Sequence, residues 1–284
     1  MEYTQDRIEL VYRLNPSTDE KSEQVQRGKH IKQPMKVSII TTSYNSASTI
    51  RDTLLSVAAQ DYPHIEHIVI DGGSTDGTLN IVSEFPHIAK VVSEKDKGIY
   101  DAMNKGIHLA TGDLIGILNS DDFYTNPKVL SNVVSKIWED GTDTLYANLD
   151  YVDSLNTKLI VRTWISGNYS QRKFRFGWMP PHPTFFVKKS VYDKYGLFDL
   201  SFTTAADYEI MLRFLLKNHV STSYLPETIV HMRAGGHSNA SLSHRLKANA
   251  EDSRAWKKNK LTPYFFTTIL KPARKIHQFF PNKK

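Results

Sequence analysis

Between residues 35 and 122 short apolar runs alternate with amphipathic segments, and this alternation constrains the fold more than any other feature of the chain. Met35 to Thr42 (with Val37, Ile39 and Ile40), His67 to Ile70, Ala89 to Ser93 and Leu114 to Leu118 read as strands. The last is nearly continuous in apolar residues, as befits a strand buried on both faces. Between them Ile50, Leu54 and Val57, then Leu79, Val82 and Phe85, then Ile99, Met103 and Ile107 recur at helical spacing. Four strands alternating with three helices predict a parallel sheet with right-handed crossovers. Every strand then delivers its following loop to the carboxyl edge, where open α/β sheets bind ligands.

Three of those loops are polar: Thr42-Ser43-Tyr44-Asn45, Asp71-Gly72-Gly73-Ser74 and Asn119-Ser120-Asp121-Asp122. Adjacent carboxylates at such an edge repel each other unless a cation joins them. A hard divalent ion that shares its shell with substrate phosphates fits that need, whereas capping of the following turn is the plainer use of either Asp. Tyr44 can lie against a base, Asp71 can accept from a base imide N–H, and Gly72 and Gly73 permit close backbone approach. Taken singly, Asp71-Gly72-Gly73 is also an ordinary tight turn. Neither a G-x-G-x-x-G after the first strand nor a G-x-x-x-x-G-K-[ST] or G-x-S-x-G occurs, so a nucleotide must be held differently and a Ser-His-Asp hydrolase is disfavoured.

The chain divides by pattern into an N-terminal extension (1–34), a catalytic α/β domain (35–240, with a nucleotide-binding half 35–125 and an acceptor half 126–240) and a basic helical tail (241–284). Ile8, Leu10, Tyr12 and Leu14 alternate like an edge strand within the extension. The acceptor half mixes a helix from Asn126-Pro127, strands at Thr144 to Asn148 and Leu159 to Trp164, a Pro180-Pro181-His182-Pro183 loop entering a strand at Thr184 to Val187, a helix from Asp207 to Leu216 and a late strand at Thr228 to Met232. The absence of cysteine excludes disulfides, thiolate metal sites and cysteine nucleophiles. No apolar stretch is long enough to span a bilayer, and the charged, polar start of the chain predicts a cytoplasmic protein. The net charge of +6 resides in the tail: residues 254–284 hold nine Lys/Arg and no Asp/Glu, so the body is mildly acidic and nucleic-acid binding is not expected. The tail interleaves bases with Trp256, Tyr264, Phe265 and Phe266, which suits either contact with an anionic membrane surface or packing on protein.

Taken in order, the motifs resemble glycosyltransferase family 2, whose fold is GT-A. The matching pieces are Val37 to Asn45, Ile70 to Thr78, Asn104-Lys105-Gly106 with Ala110-Thr111-Gly112, and Leu118 to Asp122. They continue with His182-Pro183-Thr184-Phe185-Phe186 and Ala205-Ala206-Asp207-Tyr208-Glu209, and Asp96 to Gly106 is similar to the O-antigen and colanic-acid subgroup. The resemblance implies an α/β, mostly parallel central sheet flanked by helices, with a mixed acceptor-side region. It implies an inverting transferase that uses Mn²⁺ or Mg²⁺ and moves a sugar from a nucleotide-diphosphate sugar, UDP being commonest, to an acceptor hydroxyl in bacterial surface polysaccharide assembly. The acceptor would be a glycan or a polyprenyl-diphosphate-linked sugar, which fits peripheral contact with a membrane through 254–284. By resemblance Asp122 holds the metal, Asp71 reads the base and Asp121 lies by the donor ribose or sugar. Thr42, Tyr44, Asn45, Gly73, Asn104 and Lys105 complete the donor contacts. Asp207 matches the general base; Ala206 stands where relatives carry Glu, which leaves Glu209 as the competing base. His182 is either an acceptor or donor-sugar contact or a structural hydrogen bond, and Arg233 is a phosphate contact through its fork of donors. His231 and His237 are lesser candidates for the diphosphate or metal. The competing functions are a nucleotidyltransferase and a non-catalytic nucleotide-sugar-binding module.

Overall fold

The computed structural model describes residues 34–235 and 242–267, and those from Met35 onward form one unit. Parallel strands β1 (Val37–Ser43), β2 (Ile65–Asp71), β3 (Ile88–Ser93) and β4 (Leu114–Ile117) alternate with helices α1 (Ile50–Ala58), α2 (Thr78–Ser83) and α3 (Ile99–Leu109). The chain continues through β5 (Asp122–Tyr124), α4 (Val129–Asp140), β6 (Thr144–Val152), β7 (Ile160–Trp164), α5 (Gln171–Arg175), a single 3-10 turn (His182–Thr184) and β8 (Phe186–Lys188). It then forms α6 (Lys189–Tyr195), α7 (Ala206–Met211) with a π-helical continuation (Leu212–Lys217), β9 (Thr222–Arg233) and α8 (Leu242–Lys258). The strands make one sheet in the order β3-β2-β1-β4-β8-β6-β9-β5, and β7 pairs with β6. The edge strand expected near residues 7–14 lies outside the described residues.

β1 explains the two-sided core. All seven of its residues are buried, and neighbours on the strand point to opposite faces. Ile40 enters a core with Ile68, Met103, Ile107, Phe174, Tyr208 and Trp256, while Val37 and Ile39 enter another with Val57, Val133, Ile137 and Phe186. α3 covers the Ile40 face of β1, α4 and Val57 of α1 cover the other, and Ile50 and Leu54 of α1 join Val82 of α2 on Val69 of β2.

Three features depart from the sequence expectation. Asp122 does not simply end β4; it opens β5, which pairs antiparallel with β9 at the far end of the sheet. The late strand is β9, which runs from Thr222 and pairs in parallel with β6 along its whole length. Its length was hidden because it contains Pro226 and Glu227, where the register with β6 shifts. The helix expected from Asp207 to Leu216 is α-helical only to Met211 and then widens into the π form.

Gly106 marks the closest approach of α3 to β1, since a Cβ built there would collide with the Ile40 side chain. We expect Gly106→Val to lower the melting temperature, by an overpacking cost of about 1–3 kcal/mol, whereas Gly141→Ala, at a position with open space, should show only the cost of its left-handed backbone. Thermal denaturation of the two variants beside the parent checks this.

Candidate active site

The three loops at the carboxyl edge are tied into one rim. Thr42 Oγ1 donates to Asn119 Oδ1 at 3.0 Å, and Ser120 Oγ donates to Ser46 Oγ at 2.8 Å. On the other side the Asn45 N–H donates to Ser74 Oγ at 2.8 Å, and Asn45 Oδ1 accepts from Thr75 N at 2.9 Å. Asn45 reaches both partners because its backbone is left-handed, with φ of 48°. Thr42 and Asn45 therefore shape the rim, and Tyr44, 65 % exposed, stands free upon it.

Asp71 was expected to read the nucleotide base, and the geometry corrects that assignment. The residue is fully buried, and its carboxylate accepts from Ser43 Oγ, Gly73 N, Ser74 N, Ser74 Oγ and Ser93 Oγ. Those donors fill the acceptor sites of a carboxylate. Burial alone would raise its pKa, yet the bonds from Ser74, Ser93 and Ser43 outweigh it and hold the group below its ordinary value. Asp71 thus builds the loop, with Gly73 at φ +83° making the turn. The carboxylate that does face the rim is Asp96, which the sequence reading missed. One of its oxygens accepts from Gly98 N at 2.8 Å, and the other lies where a Cβ on Gly72 would sit, beside the Tyr44 ring. The available signal was the Gly at position 72, which leaves room for a group from another loop.

Asp122 is the reverse of Asp71. It is fully buried, and neither carboxylate oxygen accepts a hydrogen bond. Burial and then the neighbouring Asp121 charge push its pKa well above the ordinary value, against the opposing pull of Arg233; Asn119 helps slightly without a well-formed bond. Arg233, expected to bind phosphate, is instead committed within the protein. Its guanidinium pairs with Asp52 of α1 and donates to the Asp121 carbonyl at 2.7 Å, and it lies over the Phe123 ring. Arg233 braces the Asp121–Asp122 turn. His231 pairs across the sheet with Phe123 rather than Asp122, so it shares the other face, near Asp150 at 3.9 Å. His237 lies outside the described residues. Among the described residues no three His, Cys, Asp or Glu cluster as a ready metal site. A buried carboxylate with no donor is nevertheless what a bound cation relieves, so the chemistry of Asp122 fits a divalent ion.

On the acceptor side Asp207 sits in the first turn of α7, but the residue that caps this helix is Ala205, so Asp207 is free of the capping role. Tyr100 Oη donates to its Oδ1 at 3.2 Å, and His182 Nδ1 lies 3.3 Å from its Oδ2. Glu209 is 2 % exposed and is held by Nε and Nη2 of Arg213, at 3.0 and 2.7 Å, and by Asn259, which removes it from contention as a base. Tyr151 lies on β6. Burial, and then the charges of Asp122 and Asp207, raise its hydroxyl pKa against the pull of Arg162, whose guanidinium lies 3.8 Å from its ring centre. Tyr151 thus lies within electrostatic range of both carboxylates, Asp122 and Asp207. Asn104 does not join them: its amide donates to the Phe198 carbonyl and accepts from the Phe198 N–H, a structural clamp in place of the expected donor contact. Lys105 pairs with Glu94 at 2.8 Å beside the Asp96 loop. Trp178 is core, with its indole N–H on the Ser166 carbonyl.

The tail was open between membrane and protein, and its described part packs on protein. Trp256 is fully buried with its indole N–H donated to Tyr208 Oη at 2.9 Å, and Lys258 pairs with Asp199. Burying a tryptophan removes roughly 150–250 Å² from water, an upper estimate of about 4–6 kcal/mol. Glu251 of α8 accepts from the N–H groups of Thr203, Thr204 and Ala205 and from both threonine hydroxyls. It caps the turn that leads into Asp207. Residues 268–284 lie outside the described residues.

Residues 38–200 match the sequence profile described as Glycosyl transferase family 2. The chain belongs to that family. An uncharacterized glycosyltransferase of Mycobacterium tuberculosis is 41 % identical over 192 residues, which cover 63 % of this chain and 69 % of the relative. A PGL/p-HBAD biosynthesis glycosyltransferase of Mycobacterium bovis is 29 % identical, over 66 % of this chain and 73 % of that one. Two solved structures share the fold. Residues 1–349 of S. aureus TarS, in complex with UDP-GlcNAc, superpose with a TM-score of 0.62 at 19 % identity, covering 88 % of this chain and 74 % of that one. The mannosyltransferase PcManGT of Pyrobaculum calidifontis, in complex with GDP-Man and Mn²⁺, superposes with a TM-score of 0.59 at 19 % identity, covering 87 % and 71 %. The mostly parallel, helix-flanked sheet is thus the expected GT-A-like α/β fold, and the chain is a glycosyltransferase. No helix among its described residues is long and apolar enough to cross a membrane.

Two outcomes follow for this glycosyltransferase. Because the folded-state pKa of Asp122 lies above its unfolded value, the protein loses stability as pH rises through that raised value. Asp122→Asn should remove this loss and raise the melting temperature of metal-free protein at neutral pH, by roughly 1–3 kcal/mol. Glu251 shows the opposite sign. Burial would raise its pKa, but the bonds from residues 203–205 lower it to about 2 from 4.5. Its contribution is present above 4.5 and fades as pH falls toward 2, with an upper bound of about 3 kcal/mol. A melting series over pH should show that acid slope in the parent and a flatter one in Glu251→Gln.

Proposed function

We propose that this family 2 glycosyltransferase is metal-dependent and inverting, and that it moves a sugar from a nucleotide-diphosphate sugar, a UDP-sugar, to an acceptor hydroxyl in bacterial surface glycan assembly. The buried Asp122 carboxylate, with no donor on either oxygen, supports this reading, together with Asp207, whose carboxylate is free of the capping role of α7. Tyr44 and Asp96 hold the base, one by its ring face and one by accepting an imide N–H. Asp121 lies toward the donor ribose or sugar, and Lys105 supports the loop that carries Asp96. Asp122 holds Mn²⁺ or Mg²⁺ together with the donor diphosphate. A divalent ion there supplies charge stabilisation to the departing diphosphate.

The acceptor-side base is built on Asp207, the carboxylate on which deprotonation of the acceptor hydroxyl depends. A single displacement at the anomeric carbon, with base and leaving group on opposite sides, inverts its configuration. The names of the relatives and of the solved neighbours support the class of donor and the setting: UDP-GlcNAc and GDP-Man are donors in complex with TarS and PcManGT, and Mn²⁺ accompanies the latter. The M. bovis relative is named for PGL/p-HBAD biosynthesis, which supports an acceptor within a biosynthetic pathway of the same kind. The nucleotidyltransferase alternative lacks the glycine-rich loop it would need near β1.

Melting temperature measured against UDP, GDP, dTDP and CMP, with and without Mn²⁺, tests the donor side without a known acceptor. We expect a metal-dependent rise with UDP that disappears in Asp122→Asn and is reduced in Asp96→Ala, while Asp207→Asn keeps it and loses sugar transfer. No rise with any nucleotide would overturn the proposal. Inversion is read separately, from the anomer first seen by proton NMR when the donor is hydrolysed.

A further inference from the structure

We propose that α5 and residues 262–266 form a docking surface for an anionic lipid bilayer, with Phe265 entering the interface and the α5 bases meeting lipid phosphates. The inference goes beyond the sugar-transfer reading and depends on neither the donor nor the base assignment. Phe265 is 92 % exposed and Tyr264 42 %. A lone exposed ring is ordinary on a protein surface, but this one belongs to a cluster. Phe265 packs on Phe266 with ring centres 5.0 Å apart, and Phe266 packs on Tyr264 and Phe176 at 5.3 and 5.4 Å. Guanidinium groups of α5 border the cluster: Arg172 lies 5.4 Å from the Phe176 ring centre and Arg175 5.8 Å from that of Tyr264.

Two segments far apart in sequence make this surface, and the fold fastens one to the other. After α8 the chain turns at Lys260, whose backbone is left-handed, and the Leu261 N–H donates to the Trp256 carbonyl at 3.0 Å. Arg175 then donates to the Thr262 carbonyl at 2.8 Å, and the Thr267 hydroxyl donates to the Arg175 carbonyl at 2.6 Å. The loop that carries Phe265 is thereby tied to α5 at both ends.

Charge identifies the occupant. Arg172, Lys257 and Lys260 are exposed, and no Asp or Glu occurs between residues 154 and 192 or after Asp252. Residues 268–284 add five Lys/Arg to the same stretch of sequence. An exposed phenyl ring among bases, with no acid nearby in sequence to repel phosphate, is the composition of an interfacial anchor. The first 253 residues are net acidic, so a long polyanion such as RNA meets repulsion beyond this face. A bilayer surface needs only the local positive charge, because salt screens the rest within about 10 Å.

Sedimentation of the full chain with vesicles of mixed phosphatidylglycerol and phosphatidylcholine, beside vesicles of phosphatidylcholine alone, tests the surface. We expect binding to the anionic vesicles that weakens with added salt. Phe265→Ser should reduce the partitioning by about ten- to hundredfold, and Arg172→Gln by about fivefold. Both side chains are exposed, so the melting temperature and its UDP-dependent rise should stay as in the parent. In Phe265→Trp, the added fluorescence should shift to the blue on anionic vesicles and be quenched by brominated acyl chains. Absence of sedimentation with anionic vesicles, or an added tryptophan that brominated lipid leaves unquenched, would overturn the proposal. Undiminished binding in both Phe265→Ser and Arg172→Gln would also overturn it and leave the bases of 268–284 as the contact. Tighter binding to oligouridylate than to vesicles, lost in Phe265→Ser, would assign the face to nucleic acid instead. A parent that binds vesicles but shows no UDP-dependent rise would sink the donor reading and leave this one standing.

Discussion

Complete burial of β1 is the constraint on which the rest depends. A strand with no exposed residue has to satisfy its backbone groups through β2 and β4 and its side chains through cores on both faces. α3 can cover it only because Gly106 lets the helix down onto Ile40, and the chain enters β4 only because Gly112 passes against Ser38. With β1 fixed on all sides, its carboxyl end is a fixed point. Ser43 to Ser46 then hold the β2 loop on one side and the β4 loop on the other, so the rim inherits the rigidity of the core.

The two aspartates on that rim show how the same side chain is used in opposite ways. Asp71 is surrounded by donors and stabilises the fold as an anion, which makes it a poor ligand for anything else. Asp122 is buried with no donor at all, a standing cost in a protein whose net stability is small. Such a cost persists only where the surrounding structure enforces it, and here Arg233, clamped to Asp52 and the Asp121 carbonyl, does the enforcing. The arginine stabilises the turn from its carbonyl side and leaves the carboxylate for a cation.

The acceptor side is assembled from pieces distant in sequence. Asp207 takes its position from Tyr100 in α3, from the proline-held turn at His182 and from Glu251 in α8, which caps the approach to α7. Trp256 anchors α8 under the same helix through Tyr208. α8 is therefore part of the framework that positions Asp207 rather than an appendage to it.

The sequence by itself determined the parallel core, because apolar runs buried on both faces and helical spacing between them are local properties of the chain. It also determined the family, because the motifs around Asp71, Asp122, His182 and Asp207 keep their order and spacing. Which carboxylate would be satisfied and which left open was not legible. The donors to Asp71 come from Ser43 at the end of β1, Ser74 in the loop after β2 and Ser93 at the end of β3, and only the register of β1, β2 and β3 brings the two strand ends to it. Asp96 met Gly72, Arg233 met Asp52, and Asn104 met Phe198 for the same reason. Glu251 and Asp207 are far apart along the chain, and no periodicity links them. Local pattern fixes elements and their edges; the pairing of charges across those edges is decided by packing, and that was the work of the tertiary structure alone.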